Sequence, residues 1–220
     1  MTERRNISIA DQIFDQLERD ILSGRYARGE VLSELRLSKE MGVSRTPIRE
    51  ALLRLEQENL VQETGRGMTV IGISPEDMMD LYDIRLRLEG EAARRAAVNM
   101  SDRQLAKMLD LIELQEYYIN RKNTNSSEET KNLDSQIHGL IYECCGSKAY
   151  QDVLGRIHKK MTKFRKASIR RQSSAQQSND EHMAIYRALL ARSPEAAEKA
   201  MLEHVRNARQ RMEVALKTEE

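Results

Sequence analysis

The stretch "VLSELRLSKEMGVSRTPIREALLRLEQENLV", residues 31 to 61, leaves few folding options to any chain that contains it. Ser33 is placed to cap a short helix that ends at Gly42, and Ser44 to cap a second one after a tight turn. Two short helices joined this closely form a helix-turn-helix. In the second helix Ile48, Ala51, Leu52 and Leu55 make an inward stripe, which leaves Arg45, Thr46 and Arg49 together on the outward side of its beginning. Pro47 is tolerated there because the first-turn amides of a helix have no intrahelical partner to lose.

The surroundings extend this pattern. In "IADQIFDQLERDILSG" the apolar residues Ile13, Phe14, Leu17 and Ile21 follow helical spacing up to Gly24, which predicts a supporting helix. After the helix-turn-helix, "LVQET" and "MTVIGI" flank "GRG", the pattern of two short strands joined by a glycine-rich turn. That turn would be a wing, with Arg66 set to enter a minor groove or lie along phosphates and Gly65 and Gly67 letting the backbone approach. A net charge of +1 gives no global sign of a nucleic-acid partner. Acids and bases are nearly balanced in the first 72 residues too, which on charge alone suits a small protein-interaction module with a solvated face. Placement decides otherwise. A recognition helix reaches base edges with its N-terminal residues, and arginine donates two hydrogen bonds to guanine, so Arg45 and Arg49 suit DNA reading.

From Ser74 onward the sequence reads as helix after helix. Ser74 caps the first of them, Pro75 takes its first position, and Glu76 and Asp77 complement the positive end of its dipole. Polar stretches at 120 to 130 and 171 to 180 read as loops between helices. The expected fold is mainly α: a winged helix-turn-helix over residues 1–73, followed by an antiparallel bundle of about six helices over 74–220. No apolar run is long enough to span a bilayer and the N-terminus lacks a secretory pattern, so the expected address is the cytoplasm, with no membrane partner. Cys144 and Cys145 are adjacent, too close for an ordinary disulfide, and read as reduced core residues.

The chain has only four histidines, and "NLDSQIHGLIYECC" sets Asp134 and His138 one turn apart on an apolar helix. A pair that merely satisfy each other by a hydrogen bond is the simplest account. His182 and His204, however, lie 11 residues either side of Ser193, in two helices separated by the turn "RSPE". In an antiparallel hairpin such positions sit level, about 16 Å from the turn at a rise of 1.5 Å per residue. Three nitrogens and one oxygen from three helices make a set suited to a divalent metal ion, Zn²⁺, Ni²⁺, Mn²⁺ or Fe²⁺. His158, among lysines in "RIHKKMTKFRK", reads as a surface residue outside this set. Arg85 falls in register with Met78, Leu81, Leu88 and Ala92, pointing a charge at an apolar interior, where a buried charge requires a partner. Glu89 is the local candidate; a ligand carboxylate beside the metal is the functional one, with Arg165 a weaker candidate for the same task.

"VSRTPIREALLRLEQENLV" closely resembles the signature of GntR-type transcription regulators, and "GRGMTVIGIS" resembles their wing. The helical remainder resembles the FCD effector domain of the subgroup named after the fatty-acid-responsive regulator. The resemblance implies a dimeric repressor or activator whose affinity for a palindromic operator is changed by a small metabolite. It places Arg45, Thr46, Arg49, Arg66 and Gly67 on operator-contacting positions, and it implies a divalent metal on an aspartate and three histidines in the order Asp134, His138, His182, His204. It also supports Arg85 as the residue that holds a small carboxylate effector. Many relatives carry arginine after the glutamate matching Glu34, where this chain has Leu35. Two other readings stand beside it: a sensor in which the metal itself is the signal, and a metal-dependent hydrolase. The second lacks any "HExxH" or equivalent pairing of ligand with general base.

Overall fold

The first described helix of the N-terminal unit is set by the residues at its own start. The computed structural model describes residues 8–121, 126–168 and 175–217. It divides into two units, Met1–Ser74 and Pro75–Glu220. Ser8 and Asp11 form a capping box at the start of α1 (Ile9–Leu22), each side chain accepting from the other's backbone amide. Asp11 also pairs with Arg54 at 2.7 Å, and the Arg54 guanidinium lies 4.3 Å from the Phe14 ring centroid, joining α1 to α3 (Arg45–Gln57). Between them, α2 (Glu34–Met41) is capped by the Ser33 hydroxyl and closed by Gly42 at φ +66°, a conformation only glycine adopts at no steric cost. Ile13, Phe14, Leu17, Ile21, Leu37, Ile48, Ala51, Leu52 and Leu55 are all buried, so the core is the one the helical spacing predicts. The Ser44 side chain makes no capping hydrogen bond, although Ser44 does occupy the cap position.

The wing strands are β2 (Val61–Thr64) and β3 (Gly67–Val70), joined across Gly65 and Arg66. A third strand, β1 (Val31–Leu32), pairs with the other edge of β3, giving the antiparallel order β1-β3-β2. Nothing in the sequence predicts a strand there, because two residues carry no periodicity.

The second unit holds six helices among the described residues: α4 (Pro75–Asn99), α5 (Asp102–Asn120), α6 (Ser126–Cys144), α7 (Lys148–Ser168), α8 (Ala175–Leu190) and α9 (Pro194–Lys217). Of the polar stretch 120 to 130, residues 126–130 open α6, a correction to the loop expected there, and residues 122–125 lie outside the described part. Ser126 and Thr130 are buried within α6, and the Thr130 hydroxyl donates to the Ser126 carbonyl at 2.7 Å, so polar side chains bond inside the helix. Likewise α8 starts at Ala175, within the second expected loop, of which residues 171–174 lie outside the described part. The long helix α4 packs against α6, α7, α8 and α9. Small residues let α9 come close: a Cβ on Gly90 would stand 2.9 Å from Leu202, and Ala93, Ala96 and Ala97 are fully buried. The α8–α9 turn passes through Arg192 at φ +53°. Its guanidinium bonds both the Met100 carbonyl and Asp102, on the α4–α5 turn. Cys144 and Cys145 are buried free thiols, and burial pushes the Cys144 thiol up to about 11.

Ile48 is fully buried at the centre of the N-terminal core. Ile48→Ala is expected to lower unfolding free energy by about 2 to 5 kcal/mol, through lost transfer energy and the residual cavity. Urea titration of both proteins checks this, and a loss below the bottom of that range would mean that α1 and α2 close over the gap.

Candidate metal centre and DNA-reading face

Inside the second unit the structure gathers all four histidines. His138 on α6, His182 on α8 and His204 on α9 converge, their ring centroids lying 4.7 to 5.4 Å apart. Each is almost completely buried, and each has its Nδ1 occupied by an acceptor from outside the cluster. Glu89 lies 3.2 Å from His138 Nδ1, the Gln115 carbonyl oxygen 3.0 Å from His182 Nδ1, and Glu181 2.8 Å from His204 Nδ1. Those contacts favour the tautomer that carries hydrogen on Nδ1 and turns the Nε2 lone pair inward. His138 Nε2 and His204 Nε2 then stand 3.1 Å apart, and His182 Nε2 is buried with no hydrogen-bond partner. These three nitrogens lie within metal-ligand reach of one another, and the Asp134 carboxylate stands beside them, 3.6 Å from His182 Nε2. Lone pairs aimed at one another in a dry interior repel unless a cation lies between them, so this donor set fits a divalent metal ion.

Further groups hold the acceptors. Arg211 grips Glu181 with both terminal nitrogens, at 2.7 and 2.8 Å, while Asn207 donates to it at 2.9 Å. Burial pushes the Glu181 carboxyl up, but Arg211 and His204 outweigh it and bring it down to about 2. Arg85, fully buried on α4, is paired with Glu89 through Nε, and its Nη2 lies 3.3 Å from the other carboxylate oxygen. The Tyr142 hydroxyl donates to Glu89 at 2.8 Å. Burial would raise the Glu89 carboxyl; the Arg85 and His138 charges hold it well below the usual carboxylate range. Burial also depresses the three imidazoles, His182 most clearly, which favours the neutral form that coordinates metals.

One expectation changes here. His158 is not on the surface. It is 4% exposed, its ring centroid is 4.7 Å from that of His138, and its Nε2 lies 3.4 Å from Asp134. The neighbouring lysines concealed the signal, which was helical spacing with Leu154, Met161 and Thr162, all of them buried. With Glu89 and His138, it forms a second group with metal-ligand types in reach of one another. Arg85, for its part, has its charge answered by Glu89 within its own helix. The Arg165 side chain lies outside the described part.

In the first unit Arg45, Thr46 and Arg49 are exposed on the first turns of α3, and Arg66 is exposed at the wing tip beside Gly67 at φ +115°. Arg49 is held by Glu34 on α2, through Nε at 2.7 Å and Nη2 at 2.8 Å. That is a side-on grip. It leaves Nη1 and the outer hydrogen of Nη2 directed away from the carboxylate, the pair that guanine O6 and N7 accept. Leu35 beside it is 48% exposed.

A winged helix-turn-helix carrying a helical domain with a buried histidine cluster defines a DNA-binding transcription regulator rather than an enzyme. Residues 9–71 match the gntR family of bacterial regulatory proteins and residues 80–207 match the FCD domain. The chain therefore belongs to the GntR family, in the group that carries an FCD domain. It is 30% identical to the HTH-type transcriptional repressor RspR of Escherichia coli (strain K12) over 198 residues, covering 90% of this chain and 86% of that one. The Glc operon transcriptional activator of the same strain is 28% identical over 96% of this chain and 90% of its own. The solved structure of E. coli McbR/YncC shares the fold, with a TM-score of 0.68 at 21% identity over 97% of this chain and 100% of that one.

The Arg85–Glu89 pair predicts a specific stability pattern. Arg85→Ala leaves a buried carboxylate without its counter-charge and is expected to cost about 3 to 5 kcal/mol. Replacing both, as in Arg85→Leu with Glu89→Leu, is expected to cost less than the single change, because no charge is then stranded. Denaturant titration of the single and double variants decides; a double variant worse than the single one would show that the pair is net stabilising.

Proposed function

We propose that the protein is a homodimeric transcription repressor of the cytoplasm that binds a palindromic operator and responds to a small carboxylate metabolite. No helix among the described residues is long and apolar enough to cross a membrane. Arg45 and Arg49 read base edges, Thr46 and Arg66 fix the protein on the backbone and groove, and Gly67 lets the wing approach. Glu34 preorients Arg49 for guanine and keeps a negative charge beside it, which favours a specific contact over a phosphate one. Repression is the sense of regulation that the RspR likeness favours.

The observation that carries the effector half is the set of inward lone pairs on His138, His182 and His204, beside Asp134. These four residues would hold one divalent ion, Zn²⁺, Ni²⁺, Mn²⁺ or Fe²⁺. When bound, the ion supplies a Lewis-acidic point that a ligand carboxylate can share, and it ties α6, α8 and α9 together. Glu89, Gln115 and Glu181 orient the imidazoles, and Arg85 and Arg211 orient the carboxylates in turn. A ligand that prefers one arrangement of the bundle then changes operator affinity by its difference in affinity for the two arrangements.

Arg49→Ala is expected to weaken binding to an operator selected from random DNA by about 1 to 3 kcal/mol, with little effect on a scrambled sequence. Glu34→Gln should tighten scrambled-DNA binding and narrow the gap between the two, since it removes both the grip and a negative charge from this face. Gel-shift titrations read both variants; equal losses on the two DNAs for Arg49→Ala would make that residue a phosphate contact.

Elemental analysis tests the metal. Wild-type protein, prepared without chelator or histidine tag, is expected to carry about one divalent ion per chain. His204→Ala should lose most of it while keeping its helical content, because a lost ligand costs more than the roughly 10- to 100-fold of an outer partner. Wild-type protein that holds no metal and cannot be loaded with Zn²⁺, Ni²⁺ or Mn²⁺ would reduce the cluster to a hydrogen-bonded core.

A further inference from the structure

Three of the four histidines turn Nε2 inward, and each gives its Nδ1 to an acceptor outside the cluster. His158 on α7 is placed differently. Its Nε2 lies 3.4 Å from Asp134 Oδ2, while Asp134 Oδ1 lies 3.6 Å from His182 Nε2. One carboxylate is thus divided between two imidazoles, with one oxygen on the side of the inward nitrogens and the other on the side of α7.

Two uses of this fourth ring fail on the geometry. As a further ligand to the same ion it stands too far off. Among the described residues the donor groups within mutual reach are His138–His182–His204 and Glu89–His138–His158, and neither joins His158 to His182 or His204. The second of these groups is a poor home for an ion of its own. Glu89 Oε1 already takes Arg85 Nε and the Tyr142 hydroxyl, and its Oε2 lies 3.3 Å from Arg85 Nη2 and 3.2 Å from His138 Nδ1. A cation placed there would stand beside a buried guanidinium, where like charges repel with little screening.

What the position of the ring does serve is the carboxylate. A carboxylate can offer a metal one oxygen or both, and in a dry interior an oxygen that is not on the ion must find a donor. His158 is held for that task by its surroundings. It is almost fully buried, and its ring packs against that of His138 with centroids 4.7 Å apart. Beside this pair Ser135, the residue after Asp134, meets Thr162, one turn on from His158, with their hydroxyl oxygens 3.2 Å apart across α6 and α7.

We propose that His158 is a positioning residue of the metal centre: its Nε2–H holds Asp134 Oδ2, which leaves Oδ1 for the ion and brings α7 into a centre otherwise built from α4, α5, α6, α8 and α9. The inference rests on the metal reading above and adds to it the donor that the carboxylate ligand needs. It requires a tautomer opposite to that of the other three rings, with hydrogen on Nε2 of His158 and on Nδ1 of His138, His182 and His204.

The test uses full-length protein carrying isotope-labelled histidine and loaded with Zn²⁺. With four imidazoles in the chain, long-range proton–nitrogen correlation spectra are expected to show three rings protonated at Nδ1 and one at Nε2, the last absent from His158→Gln. A His158 ring with a bare Nε2 overturns the proposal. Competition with a chromophoric chelator reads affinity. His158→Phe, which keeps a ring and loses the donor, should bind Zn²⁺ about 10- to 100-fold more weakly, and His158→Gln, whose amide can donate, should recover most of that loss. Equal affinity in all three proteins, or an equal loss in both variants, reduces His158 to packing and overturns the proposal as well. Elemental analysis separates the remaining cases. Two ions per wild-type chain, falling to one in the variants, would make Glu89–His138–His158 a site in itself and refute the positioning role. A wild-type chain that takes up no ion fails the metal reading itself, and this inference with it.

Discussion

The interior of the second unit is organised by the cost of burying imidazoles. Three of them share a space in which their Nε2 atoms face one another, an arrangement that burial alone would oppose. It becomes tolerable because each Nδ1 has a fixed acceptor, and because those acceptors are themselves neutralised or bonded: Glu89 by Arg85 and Tyr142, Glu181 by Arg211 and Asn207, Gln115 through its amide donating to the Thr130 carbonyl at 3.0 Å. The consequence runs outward. α4 supplies Arg85 and Glu89, α5 supplies Gln115, and α9 supplies Arg211, so nearly every helix contributes a charge or a dipole to the orientation of three rings.

The face proposed to read DNA solves a smaller version of the same problem in the open. An exposed arginine visits many rotamers and loses that freedom on binding a base. The two bonds from Glu34 remove part of it beforehand. The cost is electrostatic, since a carboxylate on this face opposes the attraction to phosphates that sequence-independent binding depends on. The near balance of charge in the first 72 residues is consistent with a domain that relies on placed contacts more than on a basic field.

Much of this was legible in the residues, and the exceptions have physical reasons. The helix-turn-helix followed from caps and an apolar stripe, which are local. The level placement of His182 and His204 followed from counting outward from Ser193, because a helical hairpin converts sequence distance into height. His158 was missed because lysines on either side of a residue describe its neighbours' faces and not its own; its spacing with Leu154 and Met161 was the better guide. Strand β1 is two residues long and exists only because β3 offers it an edge. The acceptors behind the histidines come from helices remote in sequence, Gln115 and His182 being 67 positions apart, and no period of the chain connects them. The grip of Glu34 on Arg49 depends on the angle between α2 and α3, which the caps leave unspecified.

Arg192 bears on how such a site keeps its dimensions. One side chain binds the α8–α9 turn to the α4–α5 turn, through the Met100 carbonyl and Asp102. The two connections are thereby knotted together at one end of the bundle, and the hairpin carrying His182 and His204 hangs from that knot by a fixed number of helical residues. The turn acts as the zero mark of a ruler. Inserting a residue between Arg192 and either histidine would slide the scale rather than loosen a loop, shifting that ring relative to His138 by a step comparable to the rise of a helix per residue, about 1.5 Å. A surface turn far from any ligand is thus part of the tolerance to which the centre is built, and the variation open to loops elsewhere on the molecule is closed to this one.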